Sequence, residues 1–227
     1  MTVFLEIEDL TGGYGDATVI FDVTCSLESG QILGVLGRNG VGKSTLARLV
    51  QGGLMAHSGD VRLKGRSLTK LPAYARRAVG VGYMPQTSMV FDDLSVYDNL
   101  NLGQNKKPLD PYFDLFPRLA ERLHQKAGTM SGGERKILAF VRSMIEDTRL
   151  IVLDEPSEGV QPENISHMAR CIKERASDGA GIILCEQNLT LLREVSDSFL
   201  GLDTGRIQLR GTADTLKPED LREFISL

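Results

Sequence analysis

The stretch Gly37–Thr45, "GRNGVGKST", follows the apolar run "QILGVL" and precedes a segment where Leu46, Leu49 and Val50 recur at helical spacing before Gly52 and Gly53. Strand, glycine loop and helix in that order, spelling G-x-x-x-x-G-K-S, decide the fold: a phosphate-binding loop on an α/β sheet. Glycines let backbone N–H groups close around β- and γ-phosphate oxygens, and the amino end of a helix adds positive potential. Lys43 neutralises further charge, and Ser44 offers a hydroxyl to Mg²⁺. The spacing predicts a helix over 43–51.

Outward from that loop, "LIVLDEP" and "AGIILCEQ" are short apolar runs ending in polar residues, separated by a helical pattern from Asn164 to Ala176. Alternating strand and helix signals favour a largely parallel sheet covered on both faces, with ligands at the carboxyl ends of its strands. "LIVLDEP" leaves Asp154 and Glu155 at such an end, where Pro156 stops the ladder. Two adjacent carboxylates there need a cation: Asp154 is expected in the shell of a metal shared with Ser44, and Glu155 as general base to a water.

Alternation in "VFLEIEDL" and "FDVTCSLESG" predicts antiparallel strands near the start, the first an edge strand, joined through the turn "TGGYGD". From 88 to 142 the pattern becomes helical, with amphipathic runs at Ser95–Leu102, Pro111–Leu123 and from Glu134 onward, and "GQNKKPLDP" as an exposed connection. The expected organisation is one domain over 1–227. Its α/β core comprises 1–87 and 143–227, with an antiparallel β portion at the amino end and an inserted helical lobe at 88–142.

Composition narrows the class of function. The 227 residues carry a formal charge of −4, with 41% apolar and 25% charged residues, ordinary for a globular chain with a sizeable core. A pI near 5.5 counts against nucleic acid as partner. Cys25, Cys171 and Cys185 lack metal-ligand spacing and read as reduced, buried thiols. The start "MTVFLEIEDL" lacks the basic and apolar blocks of a secretion signal, and no apolar run approaches the ~18 residues of a membrane span.

"MSGGE", Met130–Glu134, raises a second phosphate question. Ser131 and Glu134 spell a capping box before the apolar face of Ile137, Leu138, Val141 and Ile145. A cap leaves Gly132 and Gly133 unexplained, since glycine weakens a first helical turn, so a close approach to bare backbone is expected there.

In order, "GRNGVGKST", Pro85–Gln86, "MSGGE" and "LIVLDEP" resemble the nucleotide-binding subunit of an ATP-binding-cassette transporter over essentially the whole chain. "LFPRL", "AGTMSGGE", "DEPSEGVQPE" and "EQN" are similar to the ATPase subunits of importers for branched-chain amino acids, amides and urea. The resemblance implies a RecA-like P-loop ATPase that uses ATP and Mg²⁺. Two cassettes pair head to tail, as a homodimer or with a related ATPase, and the serine–glycine helix of one closes on the γ-phosphate held by the other. It further implies Tyr14 stacked on adenine, and Gly37, Asn39, Gly40, Gly42, Lys43, Ser44 and Thr45 around the phosphates. Gln86 lies on the metal and water side, and Ser131, Gly132 and Gly133 reach the second nucleotide.

Two positions depart from the common pattern. Gln187 stands where most members carry a γ-phosphate-contacting histidine, and an amide can donate but cannot become cationic. Gln161 replaces an aspartate that bridges the subunits. The resemblance also implies multi-span permease partners, indirect work with a solute-binding protein, and a peripheral place on the cytoplasmic face of the membrane. The competing classes are a soluble cassette ATPase acting on DNA or ribosomes, which usually carries a second cassette or basic extensions, and a P-loop kinase, which leaves "MSGGE" unexplained.

Overall fold

The computed structural model describes residues 3–87, 90–103 and 107–226. Two strands open it, β1 (Val3–Tyr14) and β2 (Ala17–Glu28), and β3 (Ile32–Leu36) leads into α1 (Lys43–Gln51). Next come β4 (Ala56–Leu63), β5 (Arg66–Ser67), α2 (Ala73–Ala78) and β6 (Val81–Met84). The helices α3 (Val96–Asn101), α4 (Asp110–Leu115), α5 (Pro117–Glu121) and α6 (Gly132–Ile145) follow. The chain finishes with β7 (Leu150–Asp154), α7 (Pro162–Ser177), β8 (Gly181–Glu186), α8 (Leu189–Val195), β9 (Ser198–Asp203), β10 (Arg206–Thr212) and α9 (Pro218–Ser226).

The apolar runs assemble into a six-stranded sheet of order β10-β9-β3-β8-β7-β6, parallel except for β10 at one edge. Every residue of β3, β7 and β8 is buried, as strands covered on both faces require. Alternate residues of β7 serve opposite faces: Ile151 and Leu153 pack with Phe140, Ile172 and Leu192, whereas Leu150 and Val152 pack with Leu46, Leu49, Leu5 and Val61. One face is thus covered by α6, α7 and α8, and the other by α1 and a second sheet.

That second sheet is antiparallel in the order β2-β1-β4-β5. The first strand is therefore interior, flanked by β2 and β4, and not the edge strand its alternation suggested. Thr11–Tyr14 of "TGGYGD" continue β1, and the turn is Gly15–Asp16 alone. A Cβ at Gly13 would stand 2.0 Å from the Ala17 carbonyl, so the glycine serves the close approach of two strands.

The amphipathic run Pro111–Leu123 forms two short helices, α4 and α5, because Phe116 adopts φ −126°, ψ 68° before Pro117. The boundary drawn at 142/143 falls inside α6, a continuous helix of 14 residues. Within "GQNKKPLDP", residues 104–106 lie outside the described residues, as do Ser88 and Met89 at the start of the 88–142 segment, and Asp110–Pro111 belong to α4. Among the described residues no helix is long and apolar enough to cross a membrane. All three cysteines are buried free thiols, and burial pushes Cys25 and Cys171 up to about 12.

Candidate nucleotide site

Four neighbouring parallel strands deliver the site. β3 ends at Leu36 and opens into Gly37–Thr45, β8 ends at Glu186 before Gln187, β7 ends in Asp154–Glu155, and β6 ends before Pro85–Gln86. Residues scattered over 150 positions meet because these strands share one carboxyl edge.

At the loop itself, Gly42 takes φ 112° as the N-cap of α1, and a Cβ there would meet Ile20 Cδ1 at 2.8 Å. The first turn of α1 has no side-chain cap and no acidic residue, so its N–H groups remain available to an anion. Lys43 is buried; its Nζ donates to the carbonyls of Gly37 at 2.9 Å and Arg38 at 3.0 Å and lies 3.1 Å from Glu155 Oε1. A phosphate entering here exchanges one anionic partner of Lys43 for another.

Glu155 holds φ 48°, a left-handed conformation that costs a non-glycine residue roughly 1–3 kcal/mol and marks a constrained position. Its N–H donates to Cys185 O at 2.8 Å. Besides Lys43, its carboxylate accepts from Gln187 Nε2 at 3.1 Å and Gln86 Nε2 at 2.9 Å. Gln187 Nε2 also donates to Asn39 Oδ1 at 2.5 Å, so this amide bridges the phosphate loop and Glu155.

Ser44 Oγ donates to Asp154 Oδ1 at 3.0 Å. Burial raises the Asp154 carboxyl above its ordinary range, with the Ser44 hydrogen bond opposing and the Glu155 charge adding to the shift. A hydroxyl and a carboxylate are hard oxygen donors, and two cis ligands of an octahedral Mg²⁺ at about 2.1 Å stand roughly 3 Å apart, so this pair fits that ion. Gln86, also expected as a ligand, turns its amide nitrogen to Glu155 and to Glu158 Oε2 at 3.3 Å.

Tyr14 stands half exposed at the end of β1, outside the cavity of about 120 Å³ lined by Asn39, Gly40, Gly42, Lys43, Ser44, Thr45, Gln86 and Glu155. Such a volume matches a few phosphates, well below the ~300 Å³ of pockets that enclose whole ligands. Ser131 and Gly133 line a different cleft of about 790 Å³ beside α5 and α7. There the capping box is closed in both directions: Ser131 N donates to Glu134 Oε2 at 2.9 Å, and Glu134 N to Ser131 Oγ at 3.3 Å. The two glycines differ. A Cβ at Gly133 would lie 2.9 Å from Gly159 O of this same chain, which explains that glycine internally, whereas Gly132 faces open space.

Several participants escaped the sequence reading. Tyr83 OH donates to Asp154 Oδ2 at 3.3 Å, and buried Lys136 donates to Gln86 O at 2.5 Å. Glu186, quoted within "AGIILCEQ" and "EQN" but given no role, accepts from the N–H groups of Ser157, Gln187 and Asn188. A carboxylate closing the all-apolar strand "IILC" was the available signal, since a buried charge demands such partners.

A P-loop between strand and helix, with two carboxylates at the next strand but one, defines a nucleotide-hydrolysing P-loop protein. A profile described as "ABC transporter" matches residues 20–158. The chain is 36% identical over 215 residues to the probable branched-chain amino acid transport ATP-binding protein LivF of Archaeoglobus fulgidus, covering 91% of each. It is 34% identical to the high-affinity branched-chain amino acid transport ATP-binding protein BraG of Pseudomonas aeruginosa, covering 93% of this chain and 94% of that one. The lipopolysaccharide export system ATP-binding protein LptB of Escherichia coli K12 is 30% identical, covering 92% and 90%. The solved ATP-binding subunit of an ABC transporter superposes with TM-score 0.85 at 27% identity, covering 99% of this chain and all of that one. The chain belongs to the ABC transporter family of ATP-binding proteins: it is an ATPase subunit, of the kind that works with membrane permease components.

Proposed function

We propose that this ATPase powers a membrane importer for branched-chain amino acids, amides or urea, and that ATP closes it into a pair of cassettes, homodimeric or with a related subunit. The observation that carries the pairing is the separation of two phosphate-seeking elements. The Ser131–Gly133 turn lines a cleft that shares no residue with the cavity at the phosphate loop, which supports each element facing a second copy. The likeness to LivF and BraG supports the solute class, together with the spellings "LFPRL" and "DEPSEGVQPE".

In this reading the backbone of Gly37, Asn39, Gly40, Gly42 and Thr45 surrounds the phosphates, Lys43 neutralises them and Tyr14 stacks on adenine. Ser44 and Asp154, with Gln86, would hold Mg²⁺, which would offset phosphate charge. Glu155 takes the proton of the attacking water, and Gln187 donates to the γ-phosphate from its seat between Asn39 and Glu155. Positioning and charge neutralisation do most of the work. The helical segment between β6 and α6 forms the lobe that meets the permease, on the cytoplasmic face, while the parallel sheet and the helices packed on it hold the chemistry.

Glu155→Gln tests the assignment. Removing a positioned base lowers turnover by about 10²–10⁴-fold, while ATP binding survives and closed dimers accumulate on gel filtration with ATP. Parental turnover by this variant would overturn the general-base role.

A further inference from the structure

The geometry points to Lys136 as a positioning residue for hydrolysis, one that joins the serine–glycine helix to the glutamine loop within a single chain. This inference rests on the proposed roles of Gln86 and Glu155.

Lys136 lies in the second turn of α6, with its side chain only 6% exposed. A buried ammonium must be matched by acceptors. Here Nζ leaves the helix and donates to the main-chain carbonyl of Gln86 at 2.5 Å, with Glu158 Oε2 at 3.7 Å. Glu158 in turn accepts from the Gln86 side chain at 3.3 Å, and that same amide donates to Glu155 at 2.9 Å. One cation thus fixes the backbone of the residue whose side chain holds the catalytic carboxylate.

Gly133, three positions earlier and on the same side of α6, abuts the Gly159 carbonyl so closely that a Cβ would stand 2.9 Å from it. The first two turns of α6 therefore rest on both loops that carry the hydrolytic groups: residues 85–87 through Lys136, and residues 158–159 through Lys136 and Gly133. A displacement of the Ser131 end of the helix, such as a nucleotide on a facing cassette would impose, moves Gln86 with it. Lys136 is thereby the link inside one chain between the two half-sites it contributes.

The test measures ATP affinity and turnover for the full chain carrying Lys136→Met, Lys136→Arg, Gln86→Ala and the Lys136→Met/Gln86→Ala pair, with Glu155→Gln as reference. Loss of a charged hydrogen bond that acts on the reacting geometry lowers kcat about 10- to 100-fold. Nucleotide affinity should stay within about twofold, and arginine, which keeps a donor, should recover most of the rate. In the Gln86→Ala background Lys136→Met should change kcat less than about twofold, because the two act as a unit. If methionine does not fold, Lys136→Gln takes its place in every comparison. Independent, multiplicative losses, or affinity falling in step with kcat, would overturn the proposal. So would an unchanged kcat in Lys136→Met while Glu155→Gln is inactive. Full activity of Glu155→Gln would instead unseat the underlying assignment.

Discussion

Asp154 shows what a single side chain costs the fold. Burial is the largest influence on its carboxyl and raises it, so the charged form is less favourable in the folded protein than in the unfolded chain. Below the unfolded value both states are protonated and nothing is lost. As pH rises through the unfolded and then the folded value, the penalty accumulates. Asp154→Asn should therefore raise the thermal midpoint of the protein without nucleotide by about 2–6 °C at neutral pH. The gain should shrink toward zero in acid, as differential scanning across pH would record. Asp154 and Glu155 were legible because a P-loop upstream gives paired strand-end carboxylates a purpose. Tyr83, Lys136 and Glu186 were not, because each is defined by a partner on another element, 71, 50 and 29 positions away respectively. The close approach expected at Gly133 is made by the Gly159 carbonyl of its own chain.

Among the elements, α1 depends on an anchor at the end far from the phosphates. It stops at Gly52 with φ 89°, and Arg76 of α2 threads past that glycine to donate to Leu49 O at 2.7 Å and Val50 O at 2.8 Å. The same guanidinium donates to Leu71 O at 2.9 Å and Thr69 O at 3.1 Å and is 1% exposed, with burial lowering it to about 10. Arg76→Met strands four carbonyls in the interior and should destabilise by about 3 kcal/mol. Urea unfolding would register this as a lower midpoint with an unchanged slope. Helices α1 and α7 and strands β3, β7 and β8 could be read in advance because period, length and glycine stops agreed. By contrast, "AHSGDVRL" of β4 carries Gly59 and Asp60 and becomes a strand by pairing with β1, a tertiary effect that no local pattern announces. Likewise β1 reads as an edge strand until β4 arrives from 50 residues downstream.

For the molecule as a whole, the parallel sheet was legible and the disposition of its two phosphate-seeking turns was not, since that depends on how α6 lies across the core. The proposed shared site makes hydrolysis second order at low concentration: activity per chain should rise with protein concentration and level off once pairs predominate. Ser131→Arg should abolish that activity while ATP affinity of the dilute single chain stays within about twofold. A concentration-independent rate in the parental protein, or lost affinity in the variant, would contradict the pairing.

The contact between Lys43 and Glu155 also bears on how spent phosphate departs. Because the ammonium has a carboxylate of its own chain 3.1 Å away, an arriving triphosphate must outcompete an internal rival, and cleaved phosphate is opposed by the same rival as soon as its grip loosens. Glu155, proposed to start the reaction, is thus equally placed to clear the seat after it.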